Sequence, residues 1–223
     1  MSEKLFFGAI IKFLSGIILV TALIFLPAGT LRFFRGWLLM GVLFIPIFIA
    51  GIVLMIKNPE LLKKRLDAKE KLKTQDKIVK LSGLMFICGF IVSGLNFRFD
   101  WYILPLSVSY IGEVLFIIAY LIYAEVLREN TYLSRTIEIQ ENQKVVDTGL
   151  YSVIRHPMYS TTLILFLSIP IILGSLYGFF IFLLYPFFIV KRIKSEEKLL
   201  IKELVGYKEY TMRVKYKLIP FIW

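Results

Sequence analysis

The feature that most constrains the fold is a set of apolar runs of about 20 residues, the length that an α-helix needs to cross a lipid bilayer. Four such runs occupy residues 5–26, 36–56, 78–96 and 102–127. Hydrophobic residues make up 58% of the chain, against about 45–50% in soluble domains. Because so apolar a chain lacks the polar surface to cover itself in water, a soluble enzyme is largely excluded. The first run is too long for a signal-peptide core, and we expect an uncleaved first helix.

A fifth apolar stretch, 158–190, has 33 residues and contains no Asp, Glu, Lys or Arg. It is too long for one untilted crossing and is interrupted by Pro170 and by a small-residue pair at Gly174. We therefore predict two short helices joined as a hairpin that is broken near Gly174. The expected fold is an all-α polytopic integral membrane protein with four spanning helices, a C-terminal helical hairpin and a cytoplasmic tail helix. It forms one membrane domain, in which 1–127 supplies the N-terminal transmembrane helices and 128–223 the remainder.

Lys and Arg residues are concentrated in two segments, with nine between residues 57 and 80 and nine between 191 and 217. Cytoplasmic loops of membrane proteins carry an excess of these residues. Both segments are therefore predicted to be cytoplasmic, together with the N-terminus and the active site of this multi-pass protein. Arg32 and Arg35, in the first outer loop, depart from that pattern.

The sequence assigns no definite chemical role to two further features of the chain. Asn58 followed by Pro59 predicts the start of a basic interfacial helix that continues to about Lys73. Lys12 and Glu113 are charged residues inside predicted spans, where charges are costly and are usually paired or functional. A structural pair between these two residues and a role in transport or substrate binding remain open alternatives.

The first candidate site lies where the hairpin begins. Pro157 forces His156 out of helical geometry and is itself favoured at the first helical position, so Arg155 and His156 are predicted at a helix N-terminus. Unpaired backbone N–H groups, the positive end of the helix dipole and Arg155 would together receive a carboxylate or phosphate. His156 is the only histidine, which excludes a multi-histidine metal site within one subunit. Structural roles for Arg155 and His156, and a purely interfacial role for Tyr151 and Tyr159, remain open.

The second candidate site follows the last apolar run. Arg192 and Glu196 are four residues apart, which places both side chains on one face of a helix. They could form a simple surface ion pair. Alternatively, Arg192 meets an anionic substrate group while Glu196 accepts hydrogen bonds from hydroxyl or ammonium groups of a ligand. A hairpin at 158–190 would return both candidate sites to the same membrane face.

Together these residues resemble the C-terminal half of the isoprenylcysteine carboxyl methyltransferase family, as in a microbial member, and that family is similar to the phospholipid N-methyltransferases. The resemblance covers about residues 128–223. Its motifs are Gly149-Leu150-Tyr151, Arg155-His156-Pro157-Met158-Tyr159, Arg192 with Glu196-Glu197, Gly206-Tyr207, Tyr210 and Leu218-Ile219-Pro220.

The resemblance implies an S-adenosylmethionine-dependent methyltransferase whose cofactor is held by the loop before the hairpin and the helix after it. It implies catalytic roles for Arg192, which would face the methyl acceptor, and for His156. The implied cofactor-binding residues are Gln143, Lys144, Val145, Val146, Tyr151, Arg155, His156, Pro157, Met158, Tyr159 and Glu196. Two positions depart from the family pattern: Thr136 stands where a cofactor-contacting glutamine can occur, and Gln143 replaces a histidine.

The predicted function is methyl transfer to a lipophilic acceptor, a small molecule or a lipidated group, within a membrane and without a metal or nucleic acid. A carboxylate acceptor, such as a prenylcysteine-like group, is already ionised near pH 7 and needs no general base. An amine or hydroxyl acceptor would need His156 or Glu196 to remove a proton. Two alternatives are an NADPH-dependent membrane reductase of related architecture and a non-enzymatic carrier that uses Lys12 and Glu113.

Overall fold

The fold is a bundle of α-helices. We analysed a computed structural model, which describes residues 3–66, 73–133, 136–137 and 139–223. Within these residues the only extended pairing is an isolated bridge between Ile103 and Ser175, and a short 3-10 turn spans Gly149–Ser152. The helices are α1 Glu3–Ala28, α2 Phe34–Lys57, α3 Pro59–Leu66, α4 Lys73–Arg98, α5 Leu106–Glu129, α6 Pro157–Ile172, α7 Leu176–Phe182, α8 Tyr185–Glu203 and α9 Tyr207–Arg213. The predicted all-α class is confirmed.

Five stretches are long and apolar enough to cross a membrane: α1, α2, α4, α5 and the stretch Leu176–Glu203 that α7 and α8 form. The first four confirm the four predicted spans. The fourth begins at Leu106 rather than at residue 102, because Pro105 caps the helix and Ile103 is paired with the hairpin turn. Many large apolar side chains on these helices are exposed, including Leu26 and Ile56, each at 75%. Such a surface is stable against lipid and unfavourable against water.

The helices pack closely where small residues lie at the contacts. A Cβ atom at Gly94 of α4 would lie 2.5 Å from the backbone oxygen of Ile24 in α1. At the same end of the bundle the rings of Phe33 and Phe97 stack with their centroids 4.2 Å apart. Small residues that let backbones approach are typical of helix contacts in membranes. The N-terminal helices therefore form one packed unit with α4.

The chain reverses direction after α6, as the hairpin prediction requires. Gly174 has a left-handed φ of 68°, and the Ser175 hydroxyl caps α7 by accepting from the Gly178 N–H at 3.0 Å. Pro170 lies inside α6 and does not end it. The prediction of a single short helix in the second arm is wrong, because this arm is interrupted between α7 and α8 and then continues as helix to Glu203. This extension carries the second candidate site on the same rigid helix as the membrane arm.

The remaining N-terminal predictions have mixed outcomes. Asn58 caps α3 as predicted, since its side-chain oxygen accepts from the Leu61 N–H at 3.1 Å. The predicted continuation of this helix toward Lys73 falls on residues 67–72, outside the described residues. Lys12 donates to the backbone oxygen of Leu66, and no described ion pair joins Lys12 to Glu113.

Candidate active site

A cavity lies at the end of the bundle where α6 begins and the charged part of α8 passes. Its walls come from the loop after α5, the start of α6, α8 and the segment around α9. It brings together nearly all the residues that the sequence assigned to a site. Those that line it are Gln143, Lys144, Val145, Val146, Tyr151, Arg155, His156, Met158, Tyr159, Arg192 and Glu196. Pro157 does not line it, and serves instead as the first residue of α6.

A buried ion cluster beside the cavity centres on Glu197. Its carboxylate accepts from Arg155 Nε at 2.7 Å and lies 2.6 Å from Lys217 Nζ. His156 Nε2 is 3.4 Å from the same carboxylate. The Arg155 and Glu197 side chains are 7% and 9% exposed, so this is a buried pair with a second cation. The cluster joins the beginning of α6, the middle of α8 and the C-terminal segment, although these are far apart in sequence.

Arg155 has a structural role in this cluster. Its Nη1 donates to the backbone oxygens of Val214 at 2.7 Å and Lys215 at 3.0 Å. The backbone N–H groups of Arg155 and His156 donate to the oxygens of Tyr216 and Lys217, each at 2.9 Å. The prediction that these two N–H groups are unpaired and available to an anion is therefore wrong. The C-terminal segment occupies them.

Glu196 and His156 present polar atoms to the cavity. His156 is 5% exposed, and its Nδ1 lies 4.0 Å from Glu196 Oε2. That oxygen of Glu196 is buried and has no hydrogen-bond partner within the described parts of the chain. Since nearly all buried polar atoms in proteins are hydrogen-bonded, a buried carboxylate oxygen facing a cavity indicates a place for a donor from a ligand.

Arg192 and Tyr159 form the wall nearest the membrane helices. Arg192 Nε donates to the Tyr159 hydroxyl at 3.5 Å, and the Tyr159 and His156 rings lie 5.8 Å apart. Tyr159 is 5% exposed. Because both residues lie on helices that continue into the apolar bundle, this wall connects the polar cavity with the membrane region.

Three buried tyrosines, Tyr151, Tyr207 and Tyr210, form another part of the cavity lining. The Tyr210 hydroxyl donates to the Tyr151 backbone oxygen at 2.6 Å, and Tyr207 and Tyr210 pack with Val145, Leu200 and Leu204. Burial raises the pKa of the Tyr151, Tyr207 and Tyr210 hydroxyls, so all three remain neutral at physiological pH. This wall can accommodate a flat apolar ring.

The sequence motifs include Glu197, Tyr207 and Tyr210 but gave them no role in the site, and Lys217 was not singled out. The signal for Glu197 was present, because the buried stripe of α8 consists of Tyr185, Ile189, Ile193, Glu197 and Leu200. That spacing follows one face of a helix. An acidic residue on an otherwise apolar stripe indicates a buried carboxylate with a partner.

Residues 108–206 match the phospholipid methyltransferase family. The matched region contains nearly all of α5, the loop, the hairpin and α8, and of the cavity residues only Tyr207 and Tyr210 lie beyond it. The match agrees with the relationship predicted from the motifs, and it shows that this part of the chain is similar to a phospholipid methyltransferase domain. No curated protein is significantly similar to the chain. The described residues contain no group of three or more His, Cys, Asp or Glu side chains that could hold a metal ion.

Proposed function

We propose that the chain transfers a methyl group from S-adenosylmethionine to a lipophilic acceptor that enters the cavity from the bilayer. The observation that carries this proposal is the buried oxygen of Glu196, without a described hydrogen-bond partner, in a cavity lined mostly by the region that matches the phospholipid methyltransferase family. An unpaired buried acceptor fits a ligand with hydroxyl or ammonium donors. S-adenosylmethionine has both.

The cavity residues fit the other parts of this cofactor. Its adenine suits the apolar and aromatic surfaces of Val145, Val146 and Tyr151, while Glu196 suits the ribose hydroxyls or the ammonium group. Arg155 was expected to meet the carboxylate. Because its Nε and Nη1 already bind Glu197 and backbone oxygens, we assign Arg155 to positioning. Lys144, which also lines the cavity, is the better candidate for the carboxylate.

When bound, the cofactor supplies a methyl group on a positively charged sulfur. The protein's contribution is to place the acceptor in line with that carbon and to exclude water. Tyr159 and Met158 close the side toward the membrane, and Arg192 orients an anionic group on the acceptor. If the acceptor is an amine or hydroxyl, His156 takes its proton.

The acceptor class follows from where Arg192 lies. Arg192 lines the cavity and lies on α8, which continues from a candidate membrane span, so an acceptor with an apolar chain can remain in the bilayer while its polar end reaches the site. A carboxylate on such a chain pairs with Arg192 and needs no base. The family match favours a second candidate, the amine of a phospholipid headgroup.

Binding measurements test the cofactor assignment directly. Isothermal titration of the detergent-purified protein with S-adenosylhomocysteine should give a saturable heat. Glu196→Gln should weaken affinity by roughly 10- to 150-fold, because a charge-assisted hydrogen bond contributes about 1.5–3 kcal/mol. Glu203→Gln, on the exposed end of the same helix, is the matched control and should not change it. Absence of binding to the parent protein at ~1 mM, or tighter binding of NADPH, would overturn the proposal.

The acceptor role of Arg192 needs a separate assay. Labelled methyl transfer is followed with membrane fractions that contain prenylated thiols, phospholipid amines or quinone-like lipids as acceptors. Arg192→Ala should lower turnover while S-adenosylhomocysteine affinity stays within about twofold, since binding one substrate does not align the other. Lys194→Ala, an exposed cation on the same helix, should leave both unchanged. Equal loss of cofactor affinity in Arg192→Ala and Glu196→Gln would show that the two residues only support each other as an ion pair and that Arg192 has no separate role toward the acceptor.

A further inference from the structure

Two arginines at the other end of the bundle have no role in the proposed function. Arg32 lies in the turn between α1 and α2, and Arg35 lies in the first turn of α2. This end also contains the hairpin turn at Gly174, one full length of α6 away from the candidate active site. Neither guanidinium has an ion-pair partner among the described residues. Positive-inside placement does not account for two arginines at this end of the bundle.

Both arginines line a second cavity, with a volume of about 290 Å³. Asn96 of α4 also lines it, and the rest of its wall is apolar and comes from the start of α2, α4, the beginning of α5 with the residues before it, and the hairpin turn. That wall includes Phe97, Leu106 and Leu173. The cavity therefore combines a small cationic part with a larger apolar part.

Two buried polar atoms in this cavity lack partners within the described residues: Arg35 Nη1 and Asn96 Oδ1. Asn96 is 1% exposed, and its Nδ2 donates to the Tyr102 backbone oxygen at 3.3 Å, which orients Oδ1 as the acceptor. The unmet groups are thus a cationic donor and a neutral acceptor. Their complement is an anionic oxygen next to a hydroxyl group.

The backbone holds Arg35 in place at this cavity. Gly174 has a left-handed conformation, and a Cβ atom at that position would overlap with the Arg35 guanidinium. The guanidinium therefore lies directly against the hairpin turn, in space that only glycine leaves open. This close approach makes the position of Arg35 a property of the fold and not of a flexible surface side chain.

We propose that this second cavity binds the headgroup of an anionic glycerophospholipid. Arg32 and Arg35 hold the phosphate, Asn96 accepts from a headgroup hydroxyl, and an acyl chain follows the apolar wall. That wall is continuous with the lipid-facing surface, because Phe34 and Leu106 line the cavity and are 54% and 40% exposed. Guanidinium groups bind phosphate oxygens through two parallel hydrogen bonds, which suits this arrangement. The site is independent of the proposed methyl transfer.

Native mass spectrometry of the full-length protein in detergent tests this site. Dioleoylphosphatidylglycerol is compared with dioleoylphosphatidylcholine, which has the same chains and a phosphate but no net charge. We expect at least about tenfold tighter binding of phosphatidylglycerol, and a loss of about tenfold in Arg35→Gln. Arg98→Gln is the matched control, because it removes the same charge at the same end but does not line the cavity, and it should stay within about twofold.

The other outcomes are also decisive. Equal losses of phosphatidylglycerol affinity in Arg35→Gln and Arg98→Gln would show that anionic lipid is attracted by positive charge in general. That result would overturn the proposal of a specific binding site. Inorganic phosphate that competes as well as the lipid would overturn the lipid assignment, and equal binding of the two lipids would overturn the role of charge. If Arg35→Gln does not fold, Arg32→Gln replaces it, since Arg32 is exposed in a turn. Loss of selectivity in that variant supports the site, and unchanged selectivity contradicts it.

Discussion

Glu196 and Glu197 are neighbours in α8, but the structure predicts opposite consequences for their removal. Glu197 binds Arg155 at 2.7 Å and Lys217 at 2.6 Å, and its side chain is 9% exposed. Truncating one partner of a buried pair costs about 3–5 kcal/mol, because the remaining charge stays buried without compensation. Lys217 is 26% exposed and can reach water, so we expect the lower value, about 3 kcal/mol, for Glu197→Ala.

Glu196→Ala should behave differently in the same measurement. One oxygen of its carboxylate has no described hydrogen-bond partner, and the side chain is 24% exposed, so the folded state should lose less than it does on removal of Glu197. We expect a change in unfolding free energy below about 1 kcal/mol, together with loss of S-adenosylhomocysteine binding. The main effect of Glu197→Ala should therefore be a lower free energy of unfolding. The main effect of Glu196→Ala should be weaker ligand binding.

The assay is equilibrium unfolding in mixed micelles, followed by the fluorescence of Trp223. This residue is a local reporter, because Lys217 Nζ lies 5.4 Å from the centre of its ring. Replacing Trp37 and Trp101 with Phe removes the other two tryptophan signals. Equal destabilisation by the two alanine variants would refute the distinction between a structural and a ligand-facing carboxylate. So would a Glu197→Ala protein as stable as its parent.

Three further variants can be measured in the same unfolding assay. Arg155→Lys keeps the charge but cannot donate to a carboxylate and two backbone oxygens at once, so stability should fall by about 1–3 kcal/mol, and an unchanged value would contradict the described bonds. Tyr210→Phe removes the 2.6 Å hydrogen bond to the buried Tyr151 oxygen, and we expect a loss of about 1–2 kcal/mol. Asp147→Asn breaks an exposed pair with Arg213, 36% and 65% accessible, and should change stability by less than about 1 kcal/mol, with a larger loss indicating an unrecognised role.

The helices were predictable because the bilayer imposes a length and an apolar composition on each span. Four spans agree with the sequence prediction to within a few residues, and the shift at the start of α5 follows from Pro105. The second arm of the hairpin was harder. Its apolar run ends at Val190, but the helix continues through charged residues to Glu203. Hydropathy marks where a helix leaves the membrane and carries no information on where the helix itself ends.

Most of the residues that line the cavity were predictable from the sequence, but their division of roles was not. The motif spacing selected Arg192 and Glu196, because four residues separate neighbours on one helix face. The partners of Arg155 are Glu197, 42 residues away, and the oxygens of Val214 and Lys215, 59 and 60 residues away. Contacts at such separations depend on the hairpin and on the path of the C-terminal segment. No local pattern contains that information.

The buried ion cluster also explains why the cavity has its orientation. Successive residues of an α-helix point about 100° apart, so the direction of Glu197 fixes the direction of Glu196. Because Glu197 is held between Arg155 and Lys217, Glu196 must project to one side of α8, and that side lines the cavity. The same carboxylate holds the beginning of α6, where His156 and Tyr159 face the cavity. One buried structural residue thus positions ligand-facing groups on two helices. Substitution of Glu197 should therefore alter the cavity by shifting the side chains that α6 and α8 present to it.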